Sequence, residues 1–133
     1  MGAADTVFVA SFSGDVAQGG VDMSHRGGRP GFVRVEGNRL TIPDFSGNRY
    51  FNTLGNFVRL PRAALLFIDF AGGDLLHLDG TVTIDWQPPP GYAGAQRLWS
   101  VDVRSGWRCR GAFGLRGTVG EMSPATLGTG CWP

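Results

Sequence analysis

Apolar and polar residues alternate along several segments of the chain, as in β-strands that bury one face. The clearest alternation spans Asp74 to Trp86. One face of this segment is apolar and the other mostly polar, namely Leu76, Leu78, Val82, Ile84 and Trp86 against Leu75, His77, Asp79, Thr81, Thr83 and Asp85. Further strands are predicted at Thr6–Ser11, Gly31–Glu36, Arg39–Ile42, Ala63–Phe70 and Gln96–Arg104. Ala63–Phe70 is almost wholly apolar, which predicts burial on both faces.

Glycine and proline separate these segments. Gly37-Asn38 lies between two predicted strands and indicates a two-residue hairpin turn. Pro43 is expected to end the second of them, because proline cannot donate to a ladder. Residues 13–30 and 87–95 are rich in glycine and proline and are predicted to be loops. The tail from Gly117 to Pro133 has weak periodicity and is expected to be loosely ordered.

One helix is predicted, from Asn48 to Leu60, with Ser46 as its N-cap. Its apolar face is expected to hold Tyr50, Leu54, Phe57 and Val58. The opposite face carries Arg49, Asn52, Thr53 and Asn56. With six strands to one helix in hairpin order, the fold class is mainly β, a largely antiparallel barrel.

Composition narrows the function. A chain of 133 residues fits one domain, and its net charge of +1 argues against a nucleic-acid partner. No apolar run is long enough to span a membrane, and no basic segment precedes the first strand as in a signal peptide. We therefore expect a cytoplasmic protein with two free thiols, Cys109 and Cys131. His25 and His77 are too few and too far apart to predict a metal site.

All 12 basic residues are arginine, so a side-chain cation that holds a phosphate must be a guanidinium. The predicted helix begins after a Ser-Gly turn, and a helix start offers unpaired N–H groups to an anion. Arg49, with Asn52, Thr53 and Asn56 below it, would complete a phosphate cradle. The alternative is a solvated helix whose amides cap a neighbouring loop.

A second candidate is the segment Asp22–Pro30, where His25 and Arg26 could bind an anionic substrate. The alternative is a loop whose arginines pair with Asp22 or Asp15. Ser24, His25 and Asp22 lie close in sequence, but no nucleophile elbow accompanies them, which disfavours a hydrolase.

Three segments together resemble the pyridoxamine 5′-phosphate oxidase-like family that binds FMN. They are IPDFSGNRYFNTLGNFVRLPRAALLFIDF, GDLLHLDGTVTIDW and SHRGGRPGFVRV, the last typical of a bacterial subgroup. The resemblance covers Ala4 to Phe113. It implies a six-stranded antiparallel split barrel and a homodimer with two shared FMN sites.

Within this resemblance, Arg49, which follows the Gly47-Asn48 pair, matches the arginine that binds the phosphate, and Asn48 is expected to bind the cofactor with it. Asn52, Thr53 and Asn56 match helix positions that line the phosphate and ribityl chain. Thr41, Ile42, Pro43 and Asp44 match the strand end along the isoalloxazine ring. We expect His25 and Arg26 to be the catalytic residues.

The expected function is an FMN-dependent oxidoreductase acting on a small organic molecule. The barrel is assigned to residues 1–116 and the tail to 117–133. The chain lacks the lysine that many relatives use in the flavin site, and nothing after Phe113 matches the substrate-phosphate segment of the true oxidases. Alternatives are a non-catalytic flavin- or haem-binding module and a reductase that uses deazaflavin F420.

Overall fold

A computed structural model describes residues 1–47, 49–87, 90–118 and 120–132. These residues form seven strands and two short helices in chain order. The elements are β1 Thr6–Phe12, β2 Val21–Gly27, β3 Arg34–Glu36, β4 Arg39–Phe45, α1 Asn52–Arg59, β5 Arg62–Ile68, β6 Leu75–Asp85, β7 Ala95–Cys109 and α2 Pro124–Leu127.

The strands form one sheet in the order β2-β1-β5-β6-β7-β4-β3, and every neighbouring pair is antiparallel. Helix α1 connects β4 to β5 and packs on β1 and β2. Its Leu54 and Phe57 are buried, and the Phe57 ring lies 5.3 Å from that of Trp99. The helix thereby closes the core over one face of the curved sheet.

Most predicted strands are confirmed with shifted ends. The Gly37-Asn38 turn joins β3 to β4, and Gly37 takes a positive φ of 61°. The alternation in β6 is confirmed at Leu78 and Val82, which are buried. Strand β7 is longer than predicted. It pairs with every residue of β6, with a bulge opposite Asp79 and Gly80.

The count of six strands is wrong, because β2 lies inside the predicted loop 13–30. All seven of its residues pair with β1. Its apolar residues Val21 and Met23 point outward and are 74% and 66% exposed, so the strand has no hydrophobic face toward the core. An edge strand of this kind lacks the pattern that identifies a buried one.

Two further strand predictions are corrected. Pro43 does not end β4, which continues to Phe45. Strand β3 pairs only with Arg39–Thr41, so Pro43 occupies a sheet edge, where a missing N–H is tolerated. Strand β5 is not buried on both faces, because its exposure alternates and Ala64 is exposed.

The helix begins later than predicted. Arg49 and Phe51 adopt left-handed backbone angles, with φ of 64° and 57°, and regular helix starts at Asn52. Ser46 is therefore not the N-cap; Phe51 holds that position, and no side chain caps the helix. Tyr50 and Val58, expected on the apolar face, are exposed. Asn48, the predicted first residue, lies outside the described residues.

The tail contains α2 and contacts the barrel. The Arg29 guanidinium donates to the carbonyls of Leu127 and Thr129. The Trp132 indole donates to the Phe32 carbonyl at 2.8 Å. The division into barrel and tail stays a prediction. Within the described ranges, no helix has the length and apolar character needed to cross a membrane.

Candidate functional site

A cleft of about 190 Å³ lies between β2, the end of β4 and the start of α1. We call it the helix cleft. Six residues selected from the sequence line it, namely His25, Arg26, Asp44, Arg49, Asn52 and Thr53. The fold thus brings together segments about 20 residues apart in sequence. Four other predicted site residues do not line the cleft, namely Thr41, Ile42, Pro43 and Asn56.

The start of α1 offers the cleft a positive end. Asn52 and Arg49 are exposed there, and the first turn contains no acidic residue. The first amides of a helix have no partner within it, and no side chain caps them here. Within the described part of the chain, no carboxylate forms an ion pair with Arg49. An anion at this point would meet a guanidinium and a helix dipole together.

Thr53 and Asn56 are engaged by the chain itself. Thr53 is buried, and its hydroxyl donates to Asp22 Oδ2 at 2.7 Å and lies 2.9 Å from the Ser24 hydroxyl. The Asn56 amide donates to the Ser11 hydroxyl at 3.0 Å. The polar helix face therefore packs on polar residues of β1 and β2. The placement supports a structural role for both side chains.

Asp44 anchors a charged network at the cleft wall. Its buried carboxylate contacts Arg26 Nη1 at 2.8 Å and Arg97 Nε at 3.5 Å. Burial raises the pKa of Asp44, while the two guanidinium groups act in the opposite direction. The Nε of Arg26 is buried without a hydrogen-bond acceptor among the described residues.

Arg97 also belongs to this network, and the sequence does not predict it. Its guanidinium lies 5.1 Å from the centre of the Phe51 ring and 5.7 Å from that of Trp86. It therefore connects Asp44 to the residue that starts α1. No sequence signal marked it, because it lies in β7, far from the other site residues in the chain.

His25 and Arg26 point to opposite sides of β2. Arg26 reaches Asp44, on the side where Ser24 contacts Thr53. The His25 ring instead lies 5.8 Å from that of Phe8, with Nε2 3.4 Å from the Thr6 hydroxyl. Successive side chains of a strand alternate, so one ligand in the helix cleft cannot meet both side chains in the same way.

The strand end expected beside a flavin ring is covered. Ile42 and Pro43 are buried, and the Thr41 hydroxyl lies 3.3 Å from that of Ser100. Pockets for drug-sized ligands measure about 300–1,000 Å³, so the helix cleft of one chain is too small for a whole flavin. Its residues fit a phosphate-sized anion and a nearby aromatic surface, supplied by Phe51.

Neither a family model nor a curated protein sequence matches this chain. Solved structures do match. A histidine-to-alanine variant of Group A Streptococcus HupZ has a TM-score of 0.62 at 11% identity, covering 81% of this chain and 92% of its own. Unsubstituted HupZ has a TM-score of 0.60 at 11% identity, covering 80% and 86%. Identity this low supports the fold alone: the chain is a mainly β split barrel.

Proposed function

We propose that this protein is a cofactor-binding split barrel whose helix cleft holds the anionic group of a planar cofactor, with FMN as the first candidate. The observation that carries the proposal is the Arg49 guanidinium, exposed in the cleft beside the uncapped start of α1. Both features favour a phosphate. The family resemblance in the sequence selects the same arginine.

The proposed division of labour follows from the contacts. Arg49 and the first amides of α1 would hold the phosphate, and Asn52 would supply a further hydrogen bond. Asp44 fixes Arg26 at the wall, where the guanidinium can orient an anionic substrate. A bound flavin would supply hydride transfer. Oxidoreductase activity on a small organic substrate is therefore part of the proposal.

Haem is the second candidate, and His25 is the observation that favours it. Its imidazole is exposed, belongs to a regular strand and borders an open cleft. A neutral imidazole is a common iron ligand. Haem propionates carry the same negative charge as a phosphate and could use the same arginine.

An absorption spectrum of the purified protein distinguishes the candidates. FMN gives bands at about 375 and 450 nm, whereas haem gives one strong Soret band. If FMN and haemin both fail to bind to the purified protein in titrations, the proposal is wrong. Flavin binding without turnover of any electron donor would leave a binding module and remove the enzymatic part.

Arg49→Ala tests the phosphate contact. A charge-assisted hydrogen bond contributes about 1.5–3 kcal/mol, so the Kd for FMN should rise about ten- to a hundredfold. Riboflavin, which lacks the phosphate, should bind both proteins equally. Arg59→Ala removes the same charge from the other end of α1 and should leave FMN affinity unchanged. Equal losses for FMN and riboflavin would contradict the assignment.

The proposal includes a homodimer, because the cleft of one chain is too small for the whole cofactor. A second copy could supply the missing wall. The outer face of the sheet presents exposed apolar residues on the edge strand β2, Val21 and Met23, and on the inner strand β7, where Trp107 stacks on His77 at 4.9 Å. Sedimentation velocity at micromolar concentration should show a dimer, and a monomer would remove this part of the proposal.

A further inference from the structure

We propose that a second cleft, between the barrel and the tail, is a binding site for a small organic ammonium ion with an apolar body. We call it the tail cleft. It is lined by Asp5 and Thr6, by His25 and Phe70, and by Glu121 and Met122 from the tail. Its volume is about 340 Å³, which lies within the range of small-molecule sites.

The charges in this cleft have one sign. Among the described residues that line it, Asp5 and Glu121 carry the carboxylates, and no arginine is present. Neither carboxylate forms an ion pair or a side-chain hydrogen bond within the described ranges. The helix cleft, by contrast, is lined by charges of both signs, Arg26 and Arg49 together with Asp22 and Asp44. The tail cleft differs because its lining contains carboxylates and no guanidinium group, which favours a cation.

Apolar side chains indicate the rest of the ligand. Phe70 is partly exposed at 39% and is held edge-on by Phe113, with ring centres 5.7 Å apart. Met122, partly buried, adds a flexible apolar surface. An aromatic face beside two carboxylates suits an ammonium group attached to a hydrocarbon or aromatic body.

Metal binding does not explain the cleft. Within the residues that the structure describes, no three histidine, cysteine, aspartate or glutamate side chains converge as metal ligands. Asp5, His25 and Glu121 therefore line one cavity without forming a coordination site. An organic cation needs no such convergence, because its charge and its body can contact different walls.

The site is independent of FMN in the helix cleft, whereas haem bound through His25 would occupy the tail cleft itself. The side chain of Arg26 lies on the helix-cleft side of β2, whereas the His25 ring and the Thr6 hydroxyl lie together on the other side. A ligand in the tail cleft would therefore leave the helix cleft accessible. Amine binding can be tested whether or not FMN binds.

The test uses benzylammonium, benzyl alcohol and benzoate as probes of equal body and different charge. Titrations of the full chain, followed by NMR shifts of backbone amides, should show benzylammonium binding in the millimolar range. Shifts should centre on Gly27, Gly28, Thr118 and Glu121. Benzyl alcohol should bind more weakly, and benzoate weakest. Equal binding of the three probes, or shifts centred elsewhere, would overturn the proposal.

Two charge-removing variants identify the recognition groups. Asp5→Asn and Glu121→Gln should each weaken benzylammonium about two- to fivefold, as expected for partly exposed ion pairs, and leave benzyl alcohol unchanged. Glu36→Gln, on β3 and outside the lining of the tail cleft, makes the same change in net charge and should have no effect. If the double variant binds benzylammonium as tightly as the wild type, the carboxylates do not select the ligand and the proposal fails.

Discussion

Replacing Thr53 by valine separates a structural from a ligand-binding role of the polar helix face. Valine keeps the shape and removes the hydroxyl that contacts Asp22 and Ser24. A hydrogen bond to a charged group contributes about 1.5–3 kcal/mol. Both partners are only partly buried and regain water, so we expect a loss near the lower end, about 1.5–2 kcal/mol.

Urea unfolding followed by tryptophan fluorescence measures this loss, because Trp99 is buried against Phe57 of the same helix. In thermal unfolding the same loss corresponds to about 5–8 °C for a chain of this size. Thr53→Ser retains the hydroxyl and should keep most of the stability. If Thr53→Val unfolds like the wild type but loses FMN affinity, the reasoning is refuted and the hydroxyl serves the ligand.

Three other substitutions test the energetics of the charged network, the sheet and helix α1. Because burial raises the pKa of Asp44, its contribution to stability is full below the unfolded pKa near 3.8 and declines as pH rises through the folded pKa. Asp44→Asn should therefore match the wild type in urea at low pH and be no less stable at neutral pH; a less stable variant at pH 7 would show that the arginine pairs outweigh burial. Gly80→Ala would place Cβ 2.5 Å from the Asp102 carbonyl oxygen and should cost about 1–3 kcal/mol. Gly55→Ala, in α1 with nothing within 4 Å, should instead stabilise by about 0.5–1 kcal/mol. Thermal unfolding of both glycine variants checks the opposite signs.

The sequence predicts the strands that bury one face and misses the one that does not. In β6, burial of Leu78 and Val82 makes the pattern visible in one segment. In β2, the neighbours that stabilise the strand are backbone groups of β1, and backbone pairing leaves no mark on side-chain periodicity. A strand that is stabilised mainly by backbone hydrogen bonds to its neighbour is therefore predicted to be a loop.

The candidate site shows a similar limit. The polar residues on one face of the helix are unusual for a surface helix, but their partners on β1 and β2 cannot be predicted from the helix segment alone. The sequence predicts that Thr53 contacts a ligand, whereas in the fold its hydroxyl donates to Asp22. Arg49 differs, because no residue of the described chain takes its charge in an ion pair. This difference between Thr53 and Arg49 can be seen only when the strands and the helix are placed together.

The attachment of the tail has a consequence for local opening. The Trp132 indole donates a hydrogen bond to the Phe32 carbonyl, and the Gly130 amide donates to the Ala93 carbonyl. None of the seven strands needs the tail for its pairing. Such a segment can detach with a smaller free-energy change than global unfolding. The Gly130 amide and the Trp132 indole N–H should then exchange with solvent faster than amides of β6. Detachment also removes Glu121 and Met122 from the tail cleft, so an ammonium ligand bound there would slow this exchange and hold the tail closed.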